Sequence, residues 1–541
     1  MTTSSNQSGL VSSSPSDEQA KHEFGPPVGS NPLTWGFYGT EEMPQPTKLE
    51  IEGTIPQWLS GSLYRGAAGT WDIGNFTAEH WFDGFSRNHR FEIANGSVTY
   101  RSRNSTDEII DFVRETGRYP DGSFGSDPCK IIYGAFETTF RDGNNAKGDK
   151  SSTSVGVSFV PNLPGLKPST AEGAPLDNLV VTTDANQLLQ IDPVTLEPIE
   201  ISTYQAAHPL LKNNGLTAAH PVHGGDGSIY NYLLDMSEEP PTYHVFGIQP
   251  PSGRAKILAS ITEAPPAYLH AMFGTLRHLI LIIWQADIVK PGRTILESLG
   301  EWDPDRKTLF YVIDRARGGV VSKYESEEAF FAFHQINSFE DETGDIYVDL
   351  PVMKNYSFLT AAMVPNLRAN LGPCNGPAKH DLPAIFTRYR LPFQGDAARE
   401  ADGNLVRHTA QVVFTLPYAE ANIELPRKNS KNYGLPYRYT YGIHVETPGC
   451  FADSLIKIDT HTKEVKLWSP ATKHLPCEPV FVPTPRSEHE DDGVVLTVAM
   501  DAAKRVSSLV VIDASTMVEL GRAKMPIVMG YGFHGTWASN R

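Results

Sequence analysis

The chain has 541 residues, 40% of them hydrophobic, enough for a sizeable core, and its length alone allows either several domains or one large closed ring. A formal net charge of -17 excludes nucleic acid as a partner, because phosphates are held by clustered Lys and Arg. The four cysteines, Cys129, Cys374, Cys450 and Cys477, share no C-x-x-C spacing; this argues against a zinc knuckle or disulfide framework and points to a reducing compartment.

Residues 1–30 are rich in Ser, Thr, Asn and Gln, and the first basic residue is Lys21. Neither the charged start and apolar core of a signal peptide nor the Arg-rich text of a transit peptide is present. A disordered polar tail is expected there, followed by a single domain over residues 31–541. From Leu49 onward the chain reads as short β-type runs separated by Gly, Pro, Asn and Asp, for example Leu63-Tyr64-Arg65, Phe91-Glu92-Ile93 and Val494-Val495-Leu496. Residues 119–140 break that pattern, with turn formers beside Cys129, Ile131, Ile132, Tyr133 and Phe136. They form either an amphipathic insertion that dips into a membrane face or a cap packed on the barrel end. Cys129 reads as a buried or idle thiol, with lipidation as the alternative. The longest strongly apolar run, residues 279–284, is too short to cross a bilayer.

A weak repeat recurs through the chain. Gln190-Ile191-Asp192-Pro193, Val312-Ile313-Asp314, Ile456-Lys457-Ile458-Asp459 and Val511-Ile512-Asp513 each precede a short polar turn and a second strand. In each, the Asp can cap its turn by accepting downstream backbone N–H groups. Recurrence at this spacing predicts an all-β ring of radially repeated sheets, a β-propeller with blades of roughly 40 to 65 residues. The end of the chain, Gly530-Tyr531-Gly532-Phe533-His534-Gly535-Thr536-Trp537, is aromatic and glycine-rich where termini are normally frayed, which predicts a buried end.

Among 17 histidines, four sit in apolar or tightly turned text: His220 in Thr217-Ala218-Ala219-His220-Pro221, His270 in Tyr268-Leu269-His270-Ala271, His334 in Phe330-Phe331-Ala332-Phe333-His334, and His534. A lone histidine in such surroundings is commonly a satisfied core residue. In a propeller, however, the inner strands converge on the axis, so histidines on several of them would meet. Four neutral imidazoles suit Fe(II), Zn, Cu or Ni, and each needs its other nitrogen oriented, usually by a carboxylate. Glu424 and Glu478 are acids lodged in apolar text and candidates for that work. His444-Val445-Glu446 and His489-Glu490-Asp491 are weaker rivals with the His-x-acid spacing of an iron triad. The chain contains no G-x-S-x-G elbow and no H-E-x-x-H.

His80-Trp81-Phe82-Asp83-Gly84, Asp127-Pro128-Cys129-Lys130, Ala219-His220-Pro221, Leu269-His270, Phe333-His334-Gln335-Ile336-Asn337, Glu478-Pro479-Val480-Phe481-Val482, Glu490-Asp491-Asp492-Gly493 and Phe533-His534-Gly535 follow one another in order. As an ordered set they resemble the carotenoid cleavage oxygenases, from about Leu49 to the C-terminus, and look most like the torulene-cleaving branch of fungi. The resemblance implies a seven-bladed propeller with a helical or loop cap over the iron-bearing face, and a non-haem Fe(II) held by His220, His270, His334 and His534. It further implies that Glu424 orients His334, that Glu478 orients His534, and that Asp184 stands where the family commonly has the Glu serving His270. Being one methylene shorter, Asp184 is expected to make a longer or water-bridged contact. The implied reaction adds O2 across one double bond of a carotenoid or apocarotenoid and releases two carbonyl products. Stilbene-cleaving relatives use a Tyr and a Lys where this chain has Asn104 and Thr183, which favours a carotenoid, with torulene preferred and a retinal-forming β-carotene oxygenase as the nearest rival. A carotenoid substrate implies peripheral association with an internal membrane or lipid body from the cytoplasm, with Ile131, Ile132 and Phe136 at the rim of the tunnel, and no obligate protein partner. A non-catalytic propeller scaffold, or an isomerase or hydrolase on the same iron fold, are the alternatives from other classes.

Overall fold

The computed structural model describes residues 25–117, 124, 150–152, 154–289, 295–376, 378–393 and 405–540. Residues 1–24 of the expected tail, together with Cys129, Ile131, Ile132 and Phe136, lie outside the described residues. The described chain is overwhelmingly β, with few and short helices, and its sheets are almost wholly antiparallel.

The repeated Ile-Asp turns form as their chemistry dictates. Asp192 Oδ1 accepts the N–H groups of Val194 and Thr195 (2.9 and 2.7 Å), and Asp459 Oδ1 those of His461 and Thr462 (2.9 and 3.1 Å). Asp314 and Asp513 do the same for the residues two and three positions on. In three of these turns a non-glycine residue further along takes a positive φ: Leu196 at 68°, Lys463 at 70° and Met517 at 60°. The bond from the carboxylate to the turn offsets the cost of that left-handed backbone.

Among the described residues, six sheets have four or more strands. The expected seven blades do not appear as seven separate sheets. Strand Val320–Ser326 pairs in parallel with Arg407–Thr415, and this pairing joins two antiparallel four-stranded units into one eight-stranded sheet. The ring is closed by strand exchange at the chain ends. Strand Glu50–Gly53 pairs with Glu519–Lys524 in the last sheet, while Gly535–Ser539 forms the edge of the first sheet beside Gly61–Thr70. That closure explains the buried C-terminus and leaves those two edges paired.

Short helices Ser357–Ala361 and Val364–Asn370 and the 3-10 turns Pro32–Phe37 and Trp81–Asp83 gather on one aromatic cluster of Phe37, Trp81, Phe451 and Tyr531. His80 anchors that region. Its Nδ1 accepts the Phe82 N–H (3.1 Å) and its Nε2–H donates to Leu359 O (2.8 Å), which fixes the neutral tautomer. Burial pushes His80 from the ordinary 6.5 down to about 4. Between those pH values the unfolded chain binds a proton that the folded chain refuses. The contribution of His80 is therefore complete above pH 6.5 and lost as pH falls toward 4, by about 3 kcal/mol in all. Thermal unfolding from pH 7 to pH 4 is expected to show a falling Tm whose slope is shallower in His80→Asn; equal slopes in the two proteins would contradict this. Among the described residues no helix is long and apolar enough to cross a membrane.

Candidate metal centre

His220, His270, His334 and His534 meet, with one ring nitrogen from each lying within 4.8 Å of all the others. Each belongs to an inner edge of the ring. His220 follows strand Leu216–Thr217, His270 precedes Phe273–Gly274, His334 precedes Asn337–Glu340, and His534 immediately precedes Gly535–Ser539. His220 and His270 are tied to each other through backbone, since His220 N–H donates to His270 O (3.3 Å) and Met272 N–H to His220 O (3.0 Å).

Three carboxylates stand behind this group. Glu424 Oε2 lies 2.6 Å from His334 Nδ1, Glu478 Oε1 lies 2.8 Å from His534 Nδ1, and Asp184 Oδ1 lies 2.8 Å from His270 Nδ1. The longer or water-bridged contact expected for Asp184 is therefore incorrect: the carboxylate reaches His270 directly. The backbone makes up the missing methylene, because Asp184 sits in the loop just after strand Leu179–Thr182, where its own O accepts the Thr217 N–H (2.8 Å).

A carboxylate only accepts, so each of these three Nδ1 atoms carries the hydrogen and each Nε2 presents a bare lone pair. His534 Nε2 nonetheless lies 3.0 Å from His220 Nε2 and 3.2 Å from His334 Nε2. Protonation does not relieve this crowding for His220 and His534, since burial and the neighbouring imidazoles hold both well below the usual histidine range. The facing Nε2 lone pairs of His334 and His534 repel each other unless a cation sits between them, and His220, whose tautomer is not set by a carboxylate, can turn its own Nε2 lone pair to the same ion. The donor set therefore fits a divalent metal ion.

The seven residues have one further regularity. His534, Asp184, His220, Glu424 and Glu478 come from five different sheets, and His270 and His334 come from the two ends of the eight-stranded one.

Several supporting residues escaped the sequence reading. Glu478 is gripped by Arg427, with Nη2 donating to Oε2 (3.0 Å) and Nε 2.8 Å from Oε1, and by the Gly535 N–H (2.8 Å). Arg65, fully buried, lies 3.8 Å from the same carboxylate and donates to the Glu478 backbone O (2.7 Å). The available signal was a charged residue inside the apolar run Leu63-Tyr64-Arg65. The irregular segment carrying His270 is satisfied by polar tips of buried aromatics. Tyr243 OH bonds to Pro265 O and Ala267 N, Trp284 Nε1 donates to Tyr268 O, and Tyr232 OH donates to Leu269 O.

The rival constellations are structural. His444 Nδ1–H donates to Asn422 O (2.8 Å), while Glu446 accepts from Ser469. Glu490 caps the Arg438 and Tyr439 N–H groups, and Asp491 pairs with Lys457. Asn104 accepts from Arg87 Nε (2.7 Å), and Thr183 O accepts from Thr217 Oγ1 (3.5 Å). A further group, Asp235, Glu238 and His244, already holds a cation, since Lys212 Nζ is 2.7 Å from Asp235 Oδ2.

The fold and this centre match known proteins. Residues 36–539 match the model of the RPE65 family, retinal pigment epithelial membrane protein. The chain is 32% identical to a carotenoid dioxygenase of Neurospora crassa, over 92% of this chain and 90% of that one. It is 33% identical to a torulene dioxygenase of Fusarium fujikuroi over 92% of each, and 29% identical to the human mitochondrial carotenoid-cleaving dioxygenase over 92% and 89%. Among solved structures, a variant of Synechocystis apocarotenoid oxygenase superposes with a TM-score of 0.71 at 20% identity, over 94% of this chain and 99% of that one, and it shares the fold. These findings define an enzyme of the carotenoid cleavage dioxygenase class. The chain belongs to the RPE65/carotenoid oxygenase family.

Proposed function

We propose that the protein is a non-haem Fe(II) dioxygenase that cleaves one C=C bond of torulene and releases two carbonyl products, one of them an apocarotenal. The observation that carries the proposal is the convergence of four imidazole nitrogens, three of them with their Nδ1–H bound to a carboxylate. In this reading His220, His270, His334 and His534 hold the ion, and Asp184, Glu424 and Glu478 orient the last three. When bound, the iron supplies O2 activation, with coordination positions left open for dioxygen or substrate.

The chain's own contribution is orientation and a dry wall. Phe333 lies 5.7 Å from the His270 ring and 6.0 Å from Phe82, which in turn lies 5.6 Å from Phe533 beside His534. These rings offer a polyene apolar contact and no proton donor, as suits a cleavage that needs neither nucleophile nor proton shuttle. One site residue from each sheet unit supports reading residues 31–541 as a single seven-bladed domain, with the eight-stranded sheet counted as two blades. The naming of two similar fungal proteins as torulene dioxygenases supports the substrate, as do Asn104 and Thr183, neither of which can serve a stilbene phenol. A carotenoid dissolved in a bilayer implies peripheral binding to an internal membrane or lipid body, through a rim at Ile131, Ile132 and Phe136.

The test is to purify the protein anaerobically, measure iron per chain, and follow torulene and β-carotene by chromatography and mass, both in detergent and in liposomes. Near-stoichiometric iron, aldehydes whose carbons sum to the substrate, a preference for torulene, and loss of liposome binding when Ile131, Ile132 and Phe136 are made polar are expected. Preference for β-carotene would mean a retinal-forming enzyme, cleavage of a stilbene alone would reassign the substrate class, and absence of any bound metal would leave a propeller scaffold.

A further inference from the structure

We infer that Tyr268 is a positioning residue that sets the orientation of Asp184, and through it the tautomer in which His270 faces the metal; the inference rests on the proposal that His270 is a ligand. Tyr268 is buried, with 2% exposure, and its hydroxyl donates to Asp184 Oδ2 (2.8 Å) while Asp184 Oδ1 takes the His270 Nδ1–H (2.8 Å). One carboxylate thus bridges two donors, and each of its oxygens is committed. The ring itself is held in place by Phe124 (5.5 Å), and its backbone by the bond from Trp284 Nε1 (3.0 Å). Glu424 and Glu478 are held differently. Leu425 N–H donates to Glu424 Oε2 (2.7 Å), and Glu478 is held by arginines and the Gly535 N–H. Asp184 is the acid whose free oxygen is held by a phenol.

This geometry makes a prediction with a sign. In Asp184→Asn the amide must present its oxygen to one donor and its NH2 to the other. Where the Tyr268 O–H takes the oxygen, the NH2 turns toward His270 Nδ1 and forces the hydrogen onto Nε2, the nitrogen that should bind metal; where the phenol accepts from the NH2, the oxygen stays on His270 and the amide needs nothing from Tyr268. Removing the phenol frees the amide to turn its oxygen back to His270. The side chain of Asp184 is 17% exposed, so water can replace the lost hydroxyl and Tyr268→Phe is expected to fold.

The experiment measures Fe(II) and Co(II) dissociation constants by chelator competition, with the Co(II) absorption band as a report of ligand geometry, for the wild type, Tyr268→Phe, Asp184→Asn and the double variant. Tyr268→Phe is expected to weaken metal binding about 10-fold in the wild-type background, Asp184→Asn by about 10- to 100-fold. In the Asp184→Asn background, Tyr268→Phe is expected to have no effect or to tighten binding. Equal weakening by Tyr268→Phe in both backgrounds, or no effect in the wild type, would overturn the positioning role. If His270→Ala binds metal as tightly as wild type, the ligand assignment beneath it fails instead.

Discussion

His334→Ala is expected to lose bound metal and to lower carotenoid cleavage by well over 100-fold. Loss of an outer hydrogen-bond partner alone typically costs about 10- to 100-fold in affinity or activity, and here a ligand itself is removed. The substitution does more than subtract one nitrogen. Among the described residues, His334 is the only side chain bonded to Glu424, an acid 1% exposed whose Oε1 has no partner there and whose Oε2 would keep only the Leu425 N–H. A buried carboxylate left in that state costs about 1–3 kcal/mol, so Tm should fall as well. His444→Ala is the matched control, because His444 is also buried but bonds to the Asn422 carbonyl. It should lose stability and keep its metal. Metal content by atomic absorption, product formation by chromatography and Tm by calorimetry separate the two variants. Full metal and normal turnover in His334→Ala would remove His334 from the centre.

What the sequence disclosed divides along local and non-local lines. The Asp-capped turns were legible because donor and acceptor lie two or three residues apart, so the side-chain chemistry suffices. The four histidines were legible because each stands beside apolar inner-strand text, and a ring fold brings such text together. Glu424 and Glu478 could be picked out as acids in apolar surroundings. Their partners could not: Arg65 meets Glu478 across 413 residues, and nothing near either residue announces the other. The parallel pairing of Val320–Ser326 with Arg407–Thr415 is equally non-local, and it hides a blade boundary that the repeat alone suggests. The reach of Asp184 is hidden for the same reason. Side-chain length could be read, but not the backbone path that carries the carboxylate to His270.

Glu478→Gln and Glu424→Gln look like equivalent changes in the sequence, yet their outcomes are expected to differ. Both replace a carboxylate beside a histidine Nδ1, so both should weaken metal binding by about 10- to 100-fold. Glu478, however, is also the counter-charge of two arginines. Arg65 is fully buried and has two guanidinium nitrogens, Nε and Nη2, without partners among the described residues, and Arg427 is about one-third exposed. Neutralising Glu478 leaves the Arg65 cation without the carboxylate that compensates it. Breaking a buried ion pair from one side costs about 3–5 kcal/mol, more than either half of the pair contributes by Coulomb attraction in water. Among the described residues Glu424 bonds only to His334 and the Leu425 N–H, with no arginine in that set, so its neutral variant leaves no stranded charge there. Glu478→Gln should therefore lower Tm by many degrees even without metal, whereas Glu424→Gln should cost little stability in the apo protein. A double variant, Arg65→Met with Glu478→Gln, should recover part of the lost stability without recovering metal affinity, because the methionine removes the unpaired cation and restores nothing to His534. Denaturant unfolding of the metal-free proteins measures the first effect and chelator competition the second. Equal apo stabilities for the two single variants would mean that the arginines do not depend on Glu478, and the difference between the two acids would then be one of position alone.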